Sequence, residues 1–303
     1  MKSLSVCPIC GSGRLAFAYA APTTRGQDRR KWAVSECREC THLFMNPQPT
    51  WEDLQAYYTD SYDPYDPMHG SNENDDADLE VARREGKIRH IAIPAHKRLL
   101  DVGCGGGRFL RLAKKLGAIE QGVEPSEHGA RVATSQGLNV FNGTLESFFE
   151  SYSGPGFDII TANHVIEHVP LPVQTLSVMR RLLAPGGMIW ISVPNADYPL
   201  CRALNGRWHS SDLPYHLMQF TPASMARAGK LAGLVLQGQT TESIPRIVAA
   251  SIRQYLRYRW LILGRFSKHI RVIDSVAESY AQKMDSARRG EAILTEFLND
   301  NNL

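Results

Sequence analysis

The stretch Leu99-Leu-Asp-Val-Gly-Cys-Gly-Gly-Gly107 joins a short apolar run to a glycine-rich turn, and a helical pattern follows at Phe109–Leu116. A strand, a glycine turn and a helix form the first unit of many nucleotide-binding α/β folds. Two common versions of that turn are excluded here. The third glycine of the dinucleotide pattern G-x-G-x-x-G would fall on Arg108, and the Lys-Ser/Thr pair that ends a phosphate loop is missing from this stretch.

Two acidic residues accompany the glycines. Asp101 precedes them, and Glu124 follows the last of them by 17 positions at the end of another apolar strand pattern. An acid before the turn repels a phosphate but suits a ligand with a cationic amino-acid end. A carboxylate at the end of the second strand can accept hydrogen bonds from both hydroxyls of a ribose. The pair therefore predicts a nucleoside ligand that carries an amino-acid portion.

Strand and helix patterns alternate along the middle of the chain. The predicted strands are Arg98–Val102, Ile119–Glu124, Asn139–Asn142, Phe157–Ala162 and Met188–Val193. Helices are predicted between them, at Gly129–Gln136 and Val173–Leu183. This alternation predicts an α/β fold with a doubly wound, mainly parallel sheet.

Four of the six cysteines form two Cys-x-x-Cys pairs: Cys7, Cys10, Cys37 and Cys40. Six cysteines are too few for a disulfide scaffold in a chain of 303 residues, and two such pairs indicate a metal site. Four thiolates give the tetrahedral donor set that zinc favours in structural sites. Iron in the same two knuckles and redox use of one pair are the alternatives. His42 is adjacent to the second pair, but a fifth ligand is not required.

The chain divides into four predicted regions: a zinc ribbon at 1–45, a linker with lid helices at 46–95, a ligand-binding core at 96–243 and a basic helical extension at 244–303. In the linker, Thr50 predicts the N-cap of a short helix at Glu52–Tyr58. The acidic run Ser71–Glu80 predicts a mobile hinge that leads into a helix at Asp78–Ile91.

The glycine stretch resembles motif I of the class I S-adenosylmethionine-dependent methyltransferases. Matching stretches follow in order over roughly residues 97–195: Gly122-Val-Glu-Pro125, Gly143-Thr-Leu-Glu146, Phe157-Asp-Ile-Ile-Thr-Ala-Asn-His-Val-Ile-Glu-His168 and Arg181-Leu-Leu-Ala-Pro-Gly-Gly187. The resemblance implies a seven-stranded-type sheet and S-adenosylmethionine as cofactor. It implies a cofactor site formed by Asp101, Gly103, Cys104, Gly105, Gly107, Glu124, Pro125, Thr144, Leu145 and Asn163.

Two further resemblances bear on the acceptor. The segment from Cys37 to Tyr62 is similar to bacterial methyltransferases with an N-terminal cysteine module, many of which accompany polysaccharide, deoxysugar or secondary-metabolite synthesis. The segment Pro214–Thr221 resembles the active-site cap of deoxysugar C-methyltransferases, but Tyr215 stands where that cap has a glutamate. This departure favours methylation of an oxygen, on a saccharide or related metabolite, over methylation of a carbon.

Histidine is the side chain best suited to take a proton from a hydroxyl near neutral pH. His216, His164 and His168 are the candidates, because they follow the fourth and fifth strands of the predicted core. His164 and His168 are spaced i, i+4 at a predicted helix start, but the sequence offers no third ligand beside them for a metal. His216 is predicted either to act as the base, with Tyr215 and Phe220 enclosing the acceptor, or to cap the helix that starts at Thr221-Pro222.

Composition limits the partner classes. The net charge of +3 and the distance between the basic residues and the cysteine pairs disfavour a ribosomal RNA base methyltransferase, which remains the competing enzyme class; a cofactor-binding scaffold is the non-enzymatic one. We expect a cytoplasmic protein with a small-molecule acceptor. The basic, aromatic-rich segment 246–271 predicts an amphipathic helix packed on the core. It is also compatible with contact to an anionic membrane surface or with binding of an anionic or lipid-linked substrate.

Overall fold

A computed structural model of the chain describes residues 1–24, 30–54, 57, 75–85, 87–88, 90–259 and 271–299. The strands, in chain order, are β1 (Leu15–Pro22), β2 (Lys31–Cys37), β3 (Leu43–Met45), β4 (Lys87–Ile88), β5 (Ile91–Ala92), β6 (Arg98–Val102), β7 (Ile119–Glu124), β8 (Val140–Asn142), β9 (Phe157–Asn163), β10 (Leu183–Pro194), β11 (Met218–Gln219), β12 (Leu234–Glu242) and β13 (Ala292–Asn299). The helices are α1 (Trp51–Leu54), α2 (Asp75–Glu85), α3 (Arg108–Lys115), α4 (Glu127–Ser135), α5 (Leu145–Ser151), α6 (Pro172–Leu182), α7 (Pro199–Leu204), α8 (Pro222–Leu231), α9 (Pro245–Arg259) and α10 (Arg271–Ser286).

The central sheet has seven strands in the order β12-β13-β10-β9-β6-β7-β8. Strands β6 to β10 pair in parallel, and β13 runs antiparallel to both of its neighbours. The predicted α/β class and seven-stranded sheet are therefore confirmed. Strand order changes direction around β6, so that the carboxyl ends of β6, β7 and β9 meet at one edge and open a crevice there.

The predicted helix at Asp78–Ile91 is wrong at its second half, because α2 ends at Glu85 and a short β4–β5 hairpin follows. Ile88 and Ile91 are buried in the apolar cluster beneath the sheet. Two isoleucines three positions apart fit a hairpin as well as a helix, and burial favours the hairpin. The described part of the predicted acidic hinge, residues 75–80, belongs to α2; residues 71–74 lie outside the described chain. Of the predicted helix Glu52–Tyr58, residues 52–54 belong to α1 and Tyr57 is in a turn, while residues 55, 56 and 58 lie outside the described chain.

The C-terminal region is helical only in part, so the prediction of a purely helical extension is wrong for residues 292–299. These residues form β13, whose Ile293, Thr295 and Phe297 are fully buried between β10 and β12. Helix α9 packs on the core through the buried Val248 and Ala249, in agreement with an amphipathic helix. Residues 260–270 of the basic segment lie outside the described chain, and within that chain no helix is long and apolar enough to cross a membrane.

The N-terminal ribbon, defined here as β1 to β3 with the cysteines that flank them, joins the core through a shared sheet. Strand β11, from the segment after β10, pairs antiparallel with β3, and the two add to a four-stranded sheet in the order β1-β2-β3-β11. His42 is buried in this junction, where its ring lies 4.8 Å from that of Phe220. Burial lowers the pKa of His42 to about 3, so this side chain is a neutral packing residue.

Candidate functional site

The cofactor loop, residues 103–107, connects β6 to α3 and turns through left-handed backbone conformations. Gly103 and Gly107 have φ values of 67° and 82°, which favour glycine. A Cβ atom at Gly103 would lie 2.6 Å from Cγ2 of Val165, so a larger residue here would have to displace the Val165 side chain. The contact also shows that the segment after β9 lies directly against the cofactor loop.

Two buried carboxylates flank the cofactor loop. Asp101, at 5% exposure, accepts a hydrogen bond of 2.6 Å from the Thr161 hydroxyl. Glu124, at 4% exposure, accepts bonds of 2.8 Å from the backbone amides of Gly105 and Ser126. Burial raises the pKa of Glu124, although the two amide bonds oppose that shift. The carboxylate therefore ties the loop to the start of α4 and keeps further acceptor capacity for ligand hydroxyls.

The other predicted cofactor residues lie around the same crevice, except that the side chain of Cys104 packs below the loop. Leu145 is buried, Thr144 is the exposed N-cap of α5, Asn163 ends β9, and Pro125 is exposed directly after Glu124. The Cys104 side chain is 9% exposed and packs into the apolar cluster below the loop, which raises its pKa. Cys104 can therefore offer a ligand only its backbone.

A histidine cluster, which we define as His164, Glu167, His168 and His216, lies beyond the cofactor loop. Nδ1 of His164 donates to Oε1 of Glu167 at 3.1 Å. His168 and His216 meet edge to face, with ring centroids 4.6 Å apart. Nε2 of His216 is 3.9 Å from Oε1 of Glu167. The cluster thus places three imidazoles around one buried carboxylate at the carboxyl end of β9.

Burial and charge set the ionisation of this cluster. Burial opposes ionisation of Glu167, but its bond to His164 and the nearby histidines lower its pKa to about 2. Burial lowers the pKa of His216 to about 4. The side chain of His164, in contrast, is 46% exposed. Since a general base works best with a pKa near the working pH, His216 is poorly suited to the role, and His164 is the better placed of the two.

Four expectations about this segment are corrected. Residues 164–168 form a turn and not a helix start, because α6 begins only at Pro172. His216 does not cap α8; Thr221 does, through a capping box with Ser224. Phe220 is fully buried against the ribbon, so it cannot enclose an acceptor. The sequence offered no third candidate ligand beside His168, but the fold brings His216 next to it from 48 residues away.

The cysteine cluster consists of Cys7, Cys10, Cys37 and Cys40, as predicted from the spacing. Sγ of Cys7 is 3.6 Å from Sγ of Cys40, and Sγ of Cys10 is 3.6 Å from Sγ of Cys37. All four sulfurs lie within 4.8 Å of one another. Four sulfurs at about 2.3 Å from a central zinc would be about 3.8 Å apart, so the cluster has the dimensions of a tetrahedral zinc site.

Several residues of the site carried no signal in the sequence. Thr161 and Ser126 hold the two acids, and Asp212, Ser210 and Glu291 surround the histidine cluster. Burial raises the pKa of Glu291 to about 7. Glu167, in contrast, has a local signal in the sequence, since it lies three residues after His164 and directly before His168.

An open cavity of about 500 Å³ lies between the ribbon and the segment after β10. Its lining consists of three arginines, two acids and two uncharged residues: Arg202, Arg288, Arg289, Glu36, Asp197, Asn195 and Pro222. Asn195 follows the carboxyl end of β10, at the same sheet edge as the cofactor loop. Arg202 forms ion pairs with both acids of the lining, at 2.8 Å from Asp197 and 3.5 Å from Glu36, so the cavity has a lining of mixed charge on the ribbon side of that edge.

Comparisons with known proteins agree with this geometry. A family model described as a methyltransferase domain matches residues 56–238, more than half of the chain. The ubiquinone biosynthesis O-methyltransferase of Aromatoleum aromaticum is 28% identical over 206 residues, covering 63% of this chain and 84% of the relative. That of Nitrosococcus oceani is 33% identical over 151 residues, covering 48% of this chain and 60% of the relative.

Among solved structures, one chain of a complex between the Haloferax volcanii Trm112 methyltransferase activator and a methyltransferase superposes with a TM-score of 0.51. The identity is 15%, and the match covers 78% of this chain and 96% of that one, which shows a shared fold. The glycine turn, the two buried acids and the strand order fit the same fold. The chain belongs to the methyltransferase domain family and is an S-adenosylmethionine-dependent methyltransferase.

Proposed function

We propose that the enzyme methylates a hydroxyl group of a small molecule, a saccharide or related metabolite. The observation that carries this proposal is the histidine cluster against the cofactor loop. Transfer to oxygen requires removal of a proton, and a positioned base contributes roughly 10²–10⁴-fold to such a step. A neutral amine needs no such group before it attacks, so a histidine paired with a buried carboxylate favours an oxygen acceptor.

His164 is the base in this proposal. Its Nδ1–H bond to Glu167 fixes the ring, so that Nε2 is the atom that takes the proton. S-adenosylmethionine supplies a methyl group on a sulfonium. The acceptor oxygen forms the new bond to that methyl carbon, the carbon–sulfur bond breaks with its electron pair on sulfur, and the hydroxyl proton goes to His164. The rest of the catalytic gain comes from alignment of the reacting atoms.

The relatives support oxygen as the acceptor atom, since the two curated proteins above are named O-methyltransferases. Their name places them in ubiquinone biosynthesis, which makes a phenolic hydroxyl the second candidate acceptor. The cavity beside Asn195 is lined by three arginines and two acids, and this excess of one positive charge favours an acceptor that carries a negative charge. An anionic saccharide, such as a sugar phosphate or a sugar joined to a nucleotide, combines a hydroxyl with that charge.

The test is transfer of a labelled methyl group from S-adenosylmethionine to three acceptor panels: sugar nucleotides and sugar phosphates, substituted phenols, and ribosomal RNA. Turnover on the first panel, with a product stable to conditions that cleave methyl esters, supports the proposal. Turnover confined to the phenols would replace the saccharide by an aromatic acceptor, and turnover confined to RNA would contradict the proposal. Binding of the cofactor without turnover on any panel would favour a scaffold.

We also propose that the cysteine cluster holds a structural zinc ion. The sulfur separations fit it, and four protein ligands leave no coordination position for a substrate. The ion would then support the ribbon, and through the β3–β11 pairing it would support the segment that carries His216.

A further inference from the structure

We infer that Glu167, His168 and His216 form a second metal site, which binds a divalent transition-metal ion beside the cofactor loop. The ion is separate from the one proposed for the cysteine cluster. Its existence depends only on the three side chains. Its role, to hold the acceptor oxygen, rests on the proposed function.

The hydrogen bonds of the two imidazoles determine which ring nitrogens can bind a metal. Nδ1 of His168 is 2.9 Å from the carbonyl oxygen of Tyr215, and Nδ1 of His216 is 3.0 Å from that of Ser210. A carbonyl oxygen only accepts, so both Nδ1 atoms carry the proton. In the neutral rings, each Nε2 atom then presents a lone pair. Ligand histidines in metal sites are held in this manner by backbone carbonyls or carboxylates.

Glu167 supplies the third ligand. It is 1% exposed, and its Oε2 atom is buried without a hydrogen-bond partner among the described residues. One ligand atom from each of Glu167, His168 and His216 can be chosen so that all three lie within 4.8 Å of one another. Oε1 of Glu167 accepts from His164, whereas the buried Oε2 atom of the same carboxylate has no donor among the described residues. A cation among the three atoms satisfies all of them.

The dimensions allow such an ion with small adjustments. Metal–ligand bonds of about 2.1 Å place tetrahedral ligand atoms about 3.4 Å apart. Nε2 of His216 is 3.9 Å from Oε1 of Glu167, and no two of the three ligand atoms are more than 4.8 Å apart, so side-chain movements of about 0.5–1.4 Å close the site. Two imidazole nitrogens and one carboxylate oxygen suit zinc, manganese or iron better than magnesium, which prefers oxygen ligands.

The surroundings of the site resemble an outer coordination layer. His164 donates to Glu167, and Oδ2 of Asp212 lies 4.0 Å from Nε2 of His216. The amide of Met218 donates to the carbonyl oxygen of Glu167 at 2.9 Å, which fixes the acid to the ribbon-paired segment. With three protein ligands, coordination positions remain for oxygen atoms of an acceptor.

The site would favour acceptors with two neighbouring oxygens, as in a vicinal diol or a catechol, because both can bind one ion. A hydroxyl bound to a divalent ion loses its proton more readily. The proton goes to His164, the oxygen attacks the methyl carbon, and the sulfur keeps the electron pair of the broken bond. The metal changes neither its charge nor its ligands from the protein in this step.

The test uses cobalt(II) as the probe, on the full chain with the cysteine cluster left loaded and other metal removed by a weak chelator. Cobalt on nitrogen and oxygen ligands gives visible d–d bands, whereas cobalt on thiolates adds an intense near-ultraviolet charge-transfer band. We expect one cobalt per chain with visible bands and without the thiolate band. Glu167→Gln and His168→Gln should each weaken cobalt binding by at least about tenfold. His96→Gln, an exposed histidine at the opposite sheet edge, is the matched control.

Circular dichroism separates loss of the site from loss of the fold, and His216→Gln is a second variant if His168→Gln does not fold. Wild-type protein that shows no d–d bands, or folded variants that bind cobalt as tightly as the wild type, would overturn the second site. The titration needs neither cofactor nor acceptor, so its outcome is independent of the proposed function. If methyl transfer is found and survives full removal of the second ion, the role in acceptor binding is overturned.

Discussion

The cofactor side and the acceptor side of the crevice are built in different ways. Asp101, the glycines and Glu124 lie within 24 residues on two adjacent strands and the turn between them, and Glu124 contacts this turn through the backbone amide of Gly105. The acceptor side, formed by the histidine cluster, brings together Glu167 and His216, which are 49 residues apart in the sequence. The segment that carries His216 is also held by the N-terminal ribbon, through the pairing of β11 with β3. The cofactor side is therefore a local property of the sheet, whereas the acceptor side depends on three distant parts of the chain.

The largest effect should come from removal of the ribbon's metal. Cys37→Ser should abolish binding of about one zinc per chain, lower the melting temperature and abolish methyl transfer, because β3 then no longer holds β11. S-adenosylmethionine binding should persist, since the cofactor side does not depend on the ribbon. Elemental analysis, a thermal melt and calorimetry measure the three effects. Cys201→Ser, at a buried cysteine outside the cluster, is the control; loss of cofactor binding together with the zinc would contradict the comparison.

The next effect concerns the cofactor side alone. Glu124→Ala removes the acceptor of two backbone amides, and a hydrogen bond to a charged group is worth about 1.5–3 kcal/mol. We expect the dissociation constant of S-adenosylmethionine to rise roughly 10²-fold or more, as measured by calorimetry. Glu127→Ala, at an exposed acid on α4, is the matched control. Unchanged affinity in a folded Glu124→Ala protein would remove Glu124 from the cofactor site.

A change on the acceptor side should show the reverse pattern. His164→Gln should leave cofactor affinity unchanged and lower kcat about 10²-fold, because the base is lost while the glycine turn is intact. Steady-state kinetics with the best acceptor and calorimetry with the cofactor provide the two measurements, and His96→Gln is again the control. An equal loss of cofactor affinity would mean that the two sides are not separable.

The smallest effect is a pH dependence at the edge of the acceptor side. The carboxylate of Glu291 accepts a bond from Ser210, and burial raises its pKa to about 7 from its ordinary value of 4.5. The folded protein therefore holds a proton that the unfolded chain releases between about pH 4.5 and 7, and stability falls as pH rises through that window. Glu291→Gln should stabilise the protein by about 3 kcal/mol above pH 7 and by nothing below about pH 4.

Denaturant titrations at pH 4 and pH 8 measure this difference for Glu291→Gln and for Glu296→Gln, a half-buried acid on β13 that controls for the chemistry of the change. An equal increase in the free energy of unfolding at both pH values would show that the pKa of Glu291 is not raised by burial.

The difference between the two sides also explains how far the sequence could be interpreted. Strands β6 and β7 were predicted to the residue, because an apolar run followed by glycine or an acid is a local pattern. The cysteine cluster was found for the same reason. Strand β13 was missed, since two helices separate it from β12 and four separate it from β10, and the pairing leaves no local mark. Asp212, Ser210 and Glu291 were missed because only the folded chain brings them to the histidines.

The position of β13 has a consequence for biosynthesis. When residue 242 leaves the ribosome, β10 and β12 have both been synthesised. The strand that pairs with both of them, β13, begins only 50 residues later in the chain. Until then β10 presents an unpaired, apolar edge to other nascent chains, which is a hazard for aggregation. Helices α9 and α10 are synthesised in that interval, and the buried Val248, Ala249 and Ala277 join the main apolar core. Translation speed over residues 243–291 therefore sets how long this edge stays open.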